Sequence, residues 1–203
     1  MAPVVDTSRG DEMMAPSTAM GTVDALTADE LARLSLLADT LFPELGGDGL
    51  SATMAGAVDY ITSLLADDPT MTLLYRRGLA AAWHGLPAWP AAVGAAAAAA
   101  RLSELFEEAR AADLPLGLSG SPTASALSEA GDLAFVLVLW QHVREGLYSD
   151  PRHGGNRDAS VWQWLGYSGP QMRGYTDSEV LENRLISRPL KTANDWHSDA
   201  ARQ

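Results

Sequence analysis

The sequence has no cysteine among its 203 residues, and that absence removes disulfides, thiolate metal sites, covalently attached haem and iron–sulfur clusters together. It is also poor in positive charge. Against 26 Asp and Glu stand 14 Lys and Arg, a formal net charge of −12, so phosphate backbones and anionic lipid surfaces are repelled. Nucleic acid is excluded as a partner on that ground. No apolar run approaches the roughly twenty residues of a spanning helix, because the stretch from Gly94 to Ala100 is alanine rather than leucine. Direct membrane insertion is not expected. The opening residues, MAPVVDTSRGDEMMAPSTAMG, have no basic region, no twin arginine and no apolar core, and so lack the features of an export signal. The expectation is a cytoplasmic chain, with the periplasm or cell envelope as the alternative if a partner carries it out.

Chemistry-bearing motifs are missing as well. No strand followed by Gly-x-Gly-x-x-Gly opens a helix, so a flavin or nicotinamide cannot be placed in this chain. No nucleophile elbow occurs either, since Ser119 and Ser168 lie in proline- and glycine-rich loops with no strand before them. Alternating strand patterns are absent throughout. The fold class expected is all-α, an irregular bundle of about five to six helices.

What is present reads as one domain with tails. Hydrophobic residues make up 47% of the chain, enough for one sizeable core. Residues 1–25 are small, polar and aperiodic and are expected to be disordered. Residues 26–170 form the helical domain, and 171–203 an extended tail that wraps a partner.

Within the domain, Thr27 and Glu30 make a capping box, after which Leu31, Leu34, Leu37, Ala38 and Leu41 recur at helical spacing until Pro43. A glycine-rich turn, Gly46 to Gly49, leads to a second stripe of Met54, Val58, Ile61 and Leu65. Asp68 and Pro69 suit the start of a third helix carrying Leu73, Leu74 and Leu79 toward Trp83. Pro87 and Pro90 interrupt the chain before an alanine-rich helix with Leu102, Leu105, Phe106 and Ala109 inward and Glu104, Glu107 and Glu108 outward. Ser121 and Pro122 are positioned to begin the longest helix. Its segment from Leu133 to Val143 is apolar almost all round and should be central, with its end near Tyr148.

The most informative stretch is HVREGLYSDPRHGGNRDASVWQWLGYSGP, His142 to Pro170. A helix carrying His142 and the Glu145–Gly146 pair runs through Tyr148 into Ser149-Asp150-Pro151, then Gly154-Gly155-Asn156, Trp162, and Leu165-Gly166-Tyr167 with Gly169. This ordered series resembles the signature of the gluconate 2-dehydrogenase subunit 3 family. An earlier block, ADTLFPELGGDGLSATMAGAVDYITSLL with Asp59 and Tyr60, is similar to that family's first two helices. The likeness covers residues 27 to 170.

The resemblance implies a non-catalytic small subunit. Its partner would be a large flavoprotein of the glucose-methanol-choline type that holds FAD and oxidises a sugar, sugar acid or glycoside, with a cytochrome or other acceptor completing the complex. The small subunit would support folding, stability and export of the large one. It implies no cofactor in this chain. The residues expected at the interface are His142, Glu145, Tyr148, Asp150, Pro151, Gly154, Gly155, Asn156, Trp162, Gly166 and Tyr167, with Tyr175 and Trp196 from the tail.

Read without the resemblance, the same loop has a plain local logic. Pro151 keeps Asp150 out of the helical region, Gly154 and Gly155 can take φ values closed to other residues, and Asn156 can pin a turn through backbone bonds. His142, Asp150, His153, Asn156 and Asp158 supply donors, but their spacing fits no calcium loop or zinc motif. Two other functions stay open at this point: a stand-alone helical ligand-binding module, and a metal-assisted hydrolase built on His142, Asp150 and Asn156.

Overall fold

A computed structural model describes residues 25–43, 49–82, 94–112, 132–170, 176–182 and 188–195. Among them every regular element is helical. Helix α1 spans Ala28–Leu41, α2 Ala57–Asp67, α3 Pro69–Ala82, α4 Ala95–Ala111 and α5 Asp132–Tyr148. Two 3₁₀ turns, Pro151–His153 and Arg157–Ala159, then lead into α6, Ser160–Leu165, and α7 is Asp177–Leu181. No described helix is long and apolar enough to cross a membrane.

The start signals work as the sequence suggests. At α1, the Thr27 hydroxyl accepts from the Glu30 amide while the Glu30 carboxylate accepts from the Thr27 amide, so two otherwise orphaned N–H groups are satisfied. At α3 the Asp68 carboxylate accepts from the Met71 amide at 3.0 Å, with Pro69 in the first turn where its missing N–H costs nothing.

Helix α5 is the axis, and α1, α2, α3 and α4 all pack on it. Phe135, Val136, Leu139, Val143 and Leu147 are at most 1% exposed, which matches a helix apolar on most of its circumference. Leu34, Leu37, Ile61, Leu79, Leu102 and Leu105 converge on it from the surrounding helices. Helix α3 comes close at Gly78, where an added Cβ would lie 1.9 Å from Phe135 Cγ. The ring takes the place of a side chain and meets Tyr75 edge-on at 5.4 Å.

Two residues of the expected stripes face outward. Met54 is 58% exposed and precedes α2, because the chain enters that helix through turns ending at Gly56, whose φ of 89° is left-handed. Leu73 is 50% exposed, since the buried face of α3 is set by Thr72, Tyr75, Gly78, Leu79 and Ala82. Trp83, Pro87, Pro90, Ser121 and Pro122 lie outside the described residues. So does the expected disordered segment, apart from Ala25, whose carbonyl accepts from Arg76 Nη2 at 2.8 Å.

The C-terminal segment contains local order that its lack of periodicity does not announce. Thr176 and Glu179 form a second capping box at α7, and the Glu179 carboxylate pairs with Arg188 at 2.6 Å, side chains 15% and 9% exposed. Farther on, the Lys191 amide donates to the Ser168 carbonyl at 3.0 Å. The Ala193 amide donates to Asp150 Oδ2 at 2.8 Å. Lys191 and Ala193 therefore tie the tail to the segment after α6 and to the loop after α5.

Candidate functional site

A helix ends with carbonyls that have no intrahelical partner, and in α5 the following loop satisfies them. The Gly146 carbonyl accepts from the Asn156 amide at 2.6 Å. The Tyr148 carbonyl accepts from Trp162 Nε1 at 2.9 Å, and that of Ser149 from Asn156 Nδ2 at 3.0 Å. Asn156 Oδ1 in turn accepts from the Val161 amide at 3.0 Å, in the first turn of α6. One fully buried side chain thus closes the end of α5 and the beginning of α6.

That position demands a special backbone. Asn156 has φ 43° and ψ 51°, and Asp158 and Ala159 also lie at positive φ, 55° and 53°. Left-handed conformations cost a non-glycine residue on the order of 1–2 kcal/mol, least for Asn and Asp. Gly155 is required by proximity instead, since a Cβ there would stand 2.1 Å from the Gly146 carbonyl oxygen. Gly154, at φ 93°, ends the first 3₁₀ turn begun by Pro151, and Asp150 Oδ1 caps that turn by accepting from the Arg152 amide. Gly166, at φ 69°, ends α6 in a Schellman motif: its amide donates to Gln163 and that of Tyr167 to Trp162. The Tyr167 ring packs edge-on against Trp162 at 5.1 Å.

The two sequence blocks that carry the resemblance meet here. Tyr60 donates its hydroxyl to Glu145 Oε2 at 3.0 Å, and Asp59 pairs with the Arg157 guanidinium. Arg157 also donates its amide to the Ala55 carbonyl at 2.7 Å and Nη1 to that of Met54 at 3.2 Å. The α2 N-terminus is strapped to the loop as a result. Gly146 makes the approach feasible, because an added Cβ would lie 2.9 Å from Ala57 Cα.

His142 points into the bundle. Its Nδ1 lies 2.9 Å from the Tyr75 hydroxyl, and the rings are parallel with centroids 5.9 Å apart. Burial holds the imidazole below its usual pKa, against an opposing pull from Glu145. Burial also pushes the Tyr75 phenol well above its usual value, with the Glu145 charge adding to it. Both groups are therefore neutral near pH 7. Glu145 bonds Gln141 Nε2 at 2.9 Å besides Tyr60. Burial first, and then Glu145, push the Tyr60 pKa up to about 12.

The residues expected at an interface thus divide by exposure. His142, Gly155, Asn156 and Trp162 are buried within the chain, and Glu145, Asp150, Pro151 and Gly166 are half-buried. Tyr148, Gly154 and Tyr167 are exposed. Tyr175 and Trp196 lie outside the described residues. No hydrogen bond joins any two of His142, Asp150 and Asn156, whose polar atoms serve Tyr75 and the loop backbone. Among the described residues no group of three or more His, Asp or Glu is placed to hold a metal ion.

Three features escape a sequence reading. Arg157 as a strap and Tyr75 as the partner of His142 depend on contacts 98 and 67 residues apart. Trp164 and Leu165, 44% and 50% exposed, stand outside the core beside Tyr167. Their place is set by the Schellman turn, which the Gly166-Tyr167 sequence could have signalled. Beside α5, a depression of about 520 Å³ is lined by Tyr60, Leu64, Glu145, Ser149 and His153.

No curated protein and no solved structure matches the chain. A family model described as gluconate 2-dehydrogenase subunit 3 matches residues 28–169, from the first residue of α1 to the glycine that closes this loop, and the chain belongs to that family.

Proposed function

We propose that this chain is the non-catalytic small subunit of an FAD-dependent oxidoreductase complex acting on a sugar, sugar acid or glycoside. The flavin resides in a large subunit of the glucose-methanol-choline type, and a cytochrome or other acceptor takes the electrons. The small subunit supports folding and stability of the large one and accompanies it wherever it is placed, the cytoplasm in the simplest case. Membership of the subunit 3 family supports the coarser part of this reading, a small subunit of a dehydrogenase complex.

One observation about the site supports the reading that this chain docks on another protein. The signature residues His142, Gly155, Asn156 and Trp162 are buried in the end of α5 and its loop, whereas Tyr148, Leu165 and Tyr167, together with Trp164, stand exposed on the loop and its flanks. Exposed aromatic anchors on a preorganised scaffold suit recognition of another protein. A permanent complex of this kind buries on the order of 2,000 Å² or more.

The test is coexpression with candidate flavoprotein subunits. The expected result is a co-purifying complex with a flavin spectrum that bleaches on adding the sugar substrate, together with a higher yield of soluble, flavin-loaded partner. A colourless, lone, well-folded chain that leaves the flavoprotein yield unchanged would sink the reading.

A further inference from the structure

The depression beside α5 contains a carboxylate that has no counter-ion among the described residues. Glu145 is half-buried, and its oxygens meet two neutral donors, the Tyr60 hydroxyl and the Gln141 amide. No described cation lies within ion-pair distance of it. Each carboxylate oxygen can accept two hydrogen bonds, so capacity for further donors remains. A carboxylate withdrawn from water gains most from a positive group brought to it.

The surroundings suit such a group. Tyr60 and Leu64 supply an aromatic ring and an aliphatic side chain, the kind of wall against which a guanidinium or the stem of a lysine packs. Ser149 lines the same depression, and its buried Oγ has no hydrogen-bond partner among the described residues. At the rim, His153 Nε2 accepts from Arg152 Nε at 3.2 Å, so these two basic side chains are engaged with each other. The volume, about 520 Å³, falls in the range of sites that receive side chains and small ligands.

We propose that this depression is a socket for a guanidinium or ammonium side chain of the large dehydrogenase subunit, with Glu145 as its counter-ion. The inference rests on the small-subunit reading above. A single carboxylate and a short apolar wall hold a free amine weakly, whereas the same group on a docked protein is retained by the rest of the interface. A chain with net charge −12 also favours a partner that presents basic groups.

Two measurements test it. In the first, the full chain is titrated with arginine amide and followed by NMR, with sorbitol as the neutral control. The wild type should show saturable shifts at Tyr60, Glu145 and Ser149 in the millimolar range, and Glu145→Gln should show none. In the second, the affinity for the flavoprotein subunit is compared for wild type, Glu145→Gln and Leu64→Lys at low and high salt. Leu64→Lys places an internal cation beside the carboxylate while leaving the Tyr60 and Gln141 bonds in place. Both variants should bind about tenfold or more weakly at low salt and lose much of the salt dependence, with thermal melting of the isolated chain nearly unchanged. If the wild type forms a flavoprotein complex and both variants match its affinity and salt dependence, the socket is overturned and the subunit reading stands. If the wild type forms no such complex, both fall.

Discussion

Asn156 and Val161 are joined by a buried hydrogen bond of 3.0 Å from the Val161 amide to Asn156 Oδ1, while Nδ2 of the same side chain holds the Ser149 carbonyl. The end of the central helix and the start of the next are thereby fixed to one residue. In this chain the loop from Asp150 to Asn156 terminates α5 and starts α6 through that one side chain.

Replacing Asn156 by Ala should cost about 3 kcal/mol or more, because a buried amide donor and a part-buried carbonyl acceptor are left unmet and a non-glycine residue without local bonding is forced into the left-handed region. Asn156→Gly loses the same two bonds but not the backbone preference, and should recover about 1 kcal/mol of that loss. Urea denaturation of the two variants gives the comparison. Equal stability of the Ala and Gly forms would show that the φ of 43° does not matter.

The close approach of α3 and α5 predicts a strong coupling. Gly78→Ala places a methyl 1.9 Å from Phe135 Cγ, an overpacking that costs about 1–3 kcal/mol or more. With Phe135→Ala in the background, the Cγ and Cδ2 atoms nearest the added methyl are gone and only Cβ, at 2.4 Å, is left to give way, so the double variant should be more stable than the sum of the single effects by about 1 kcal/mol or more. Additive single effects would refute the contact.

Much of this fold is legible in the sequence because its causes are local. Thr27 with Glu30, Asp68 with Pro69, and the apolar circumference of Leu133 to Val143 each act within a few residues. Met54 shows where local reasoning ends: it stands four residues before Val58, at helical spacing, yet the left-handed Gly56 intervenes and the chain has not entered the helix. Within the site, the turn-forming roles of Asp150, Gly154 and Asn156 follow from residue type. The pairing of Tyr60 with Glu145, of Asp59 with Arg157 and of Tyr75 with His142 does not, since hydrogen bonds spanning 85, 98 and 67 residues leave no period to read. The tail shows a missed local cue, as Thr176 and Glu179 form the same capping box that was legible at Thr27.

The exposed aromatic group predicts a separation of binding from folding. Trp164 is 44% exposed, so Trp164→Ser should change the stability of the isolated chain by no more than about 0.5 kcal/mol. The same change should weaken the complex with the flavoprotein about tenfold to a hundredfold if Trp164 is an interface anchor. Trp162→Ser should do the reverse, destabilising the isolated chain, because that ring is 5% exposed and its Nε1 holds the Tyr148 carbonyl. Calorimetry on the isolated variants and binding measurements on the complex distinguish the two.

His142 predicts a pH dependence with a definite sign. Burial lowers its pKa in the folded chain, whereas in the unfolded chain it titrates near about 6.5. Between those two values the unfolded state binds a proton that the folded state does not, so stability rises with pH there and is lost as the pH falls below about 6.5, by at most about 1.4 kcal/mol per pH unit. The contribution is fully present above that pH. Carboxylates titrate lower, which leaves the interval from about pH 5 to 6.5 mainly to histidine. His142→Gln removes the titrating group and keeps a polar atom for the Tyr75 hydroxyl, so its stability should be lower than wild type at pH 7.5 but flatter across that interval. Tyr75→Phe should leave the imidazole buried without its 2.9 Å partner and retain the slope. Denaturant midpoints at half-unit steps from pH 5 to 8 provide the comparison, and a His142→Gln profile parallel to wild type would show that the buried imidazole is not the group responsible.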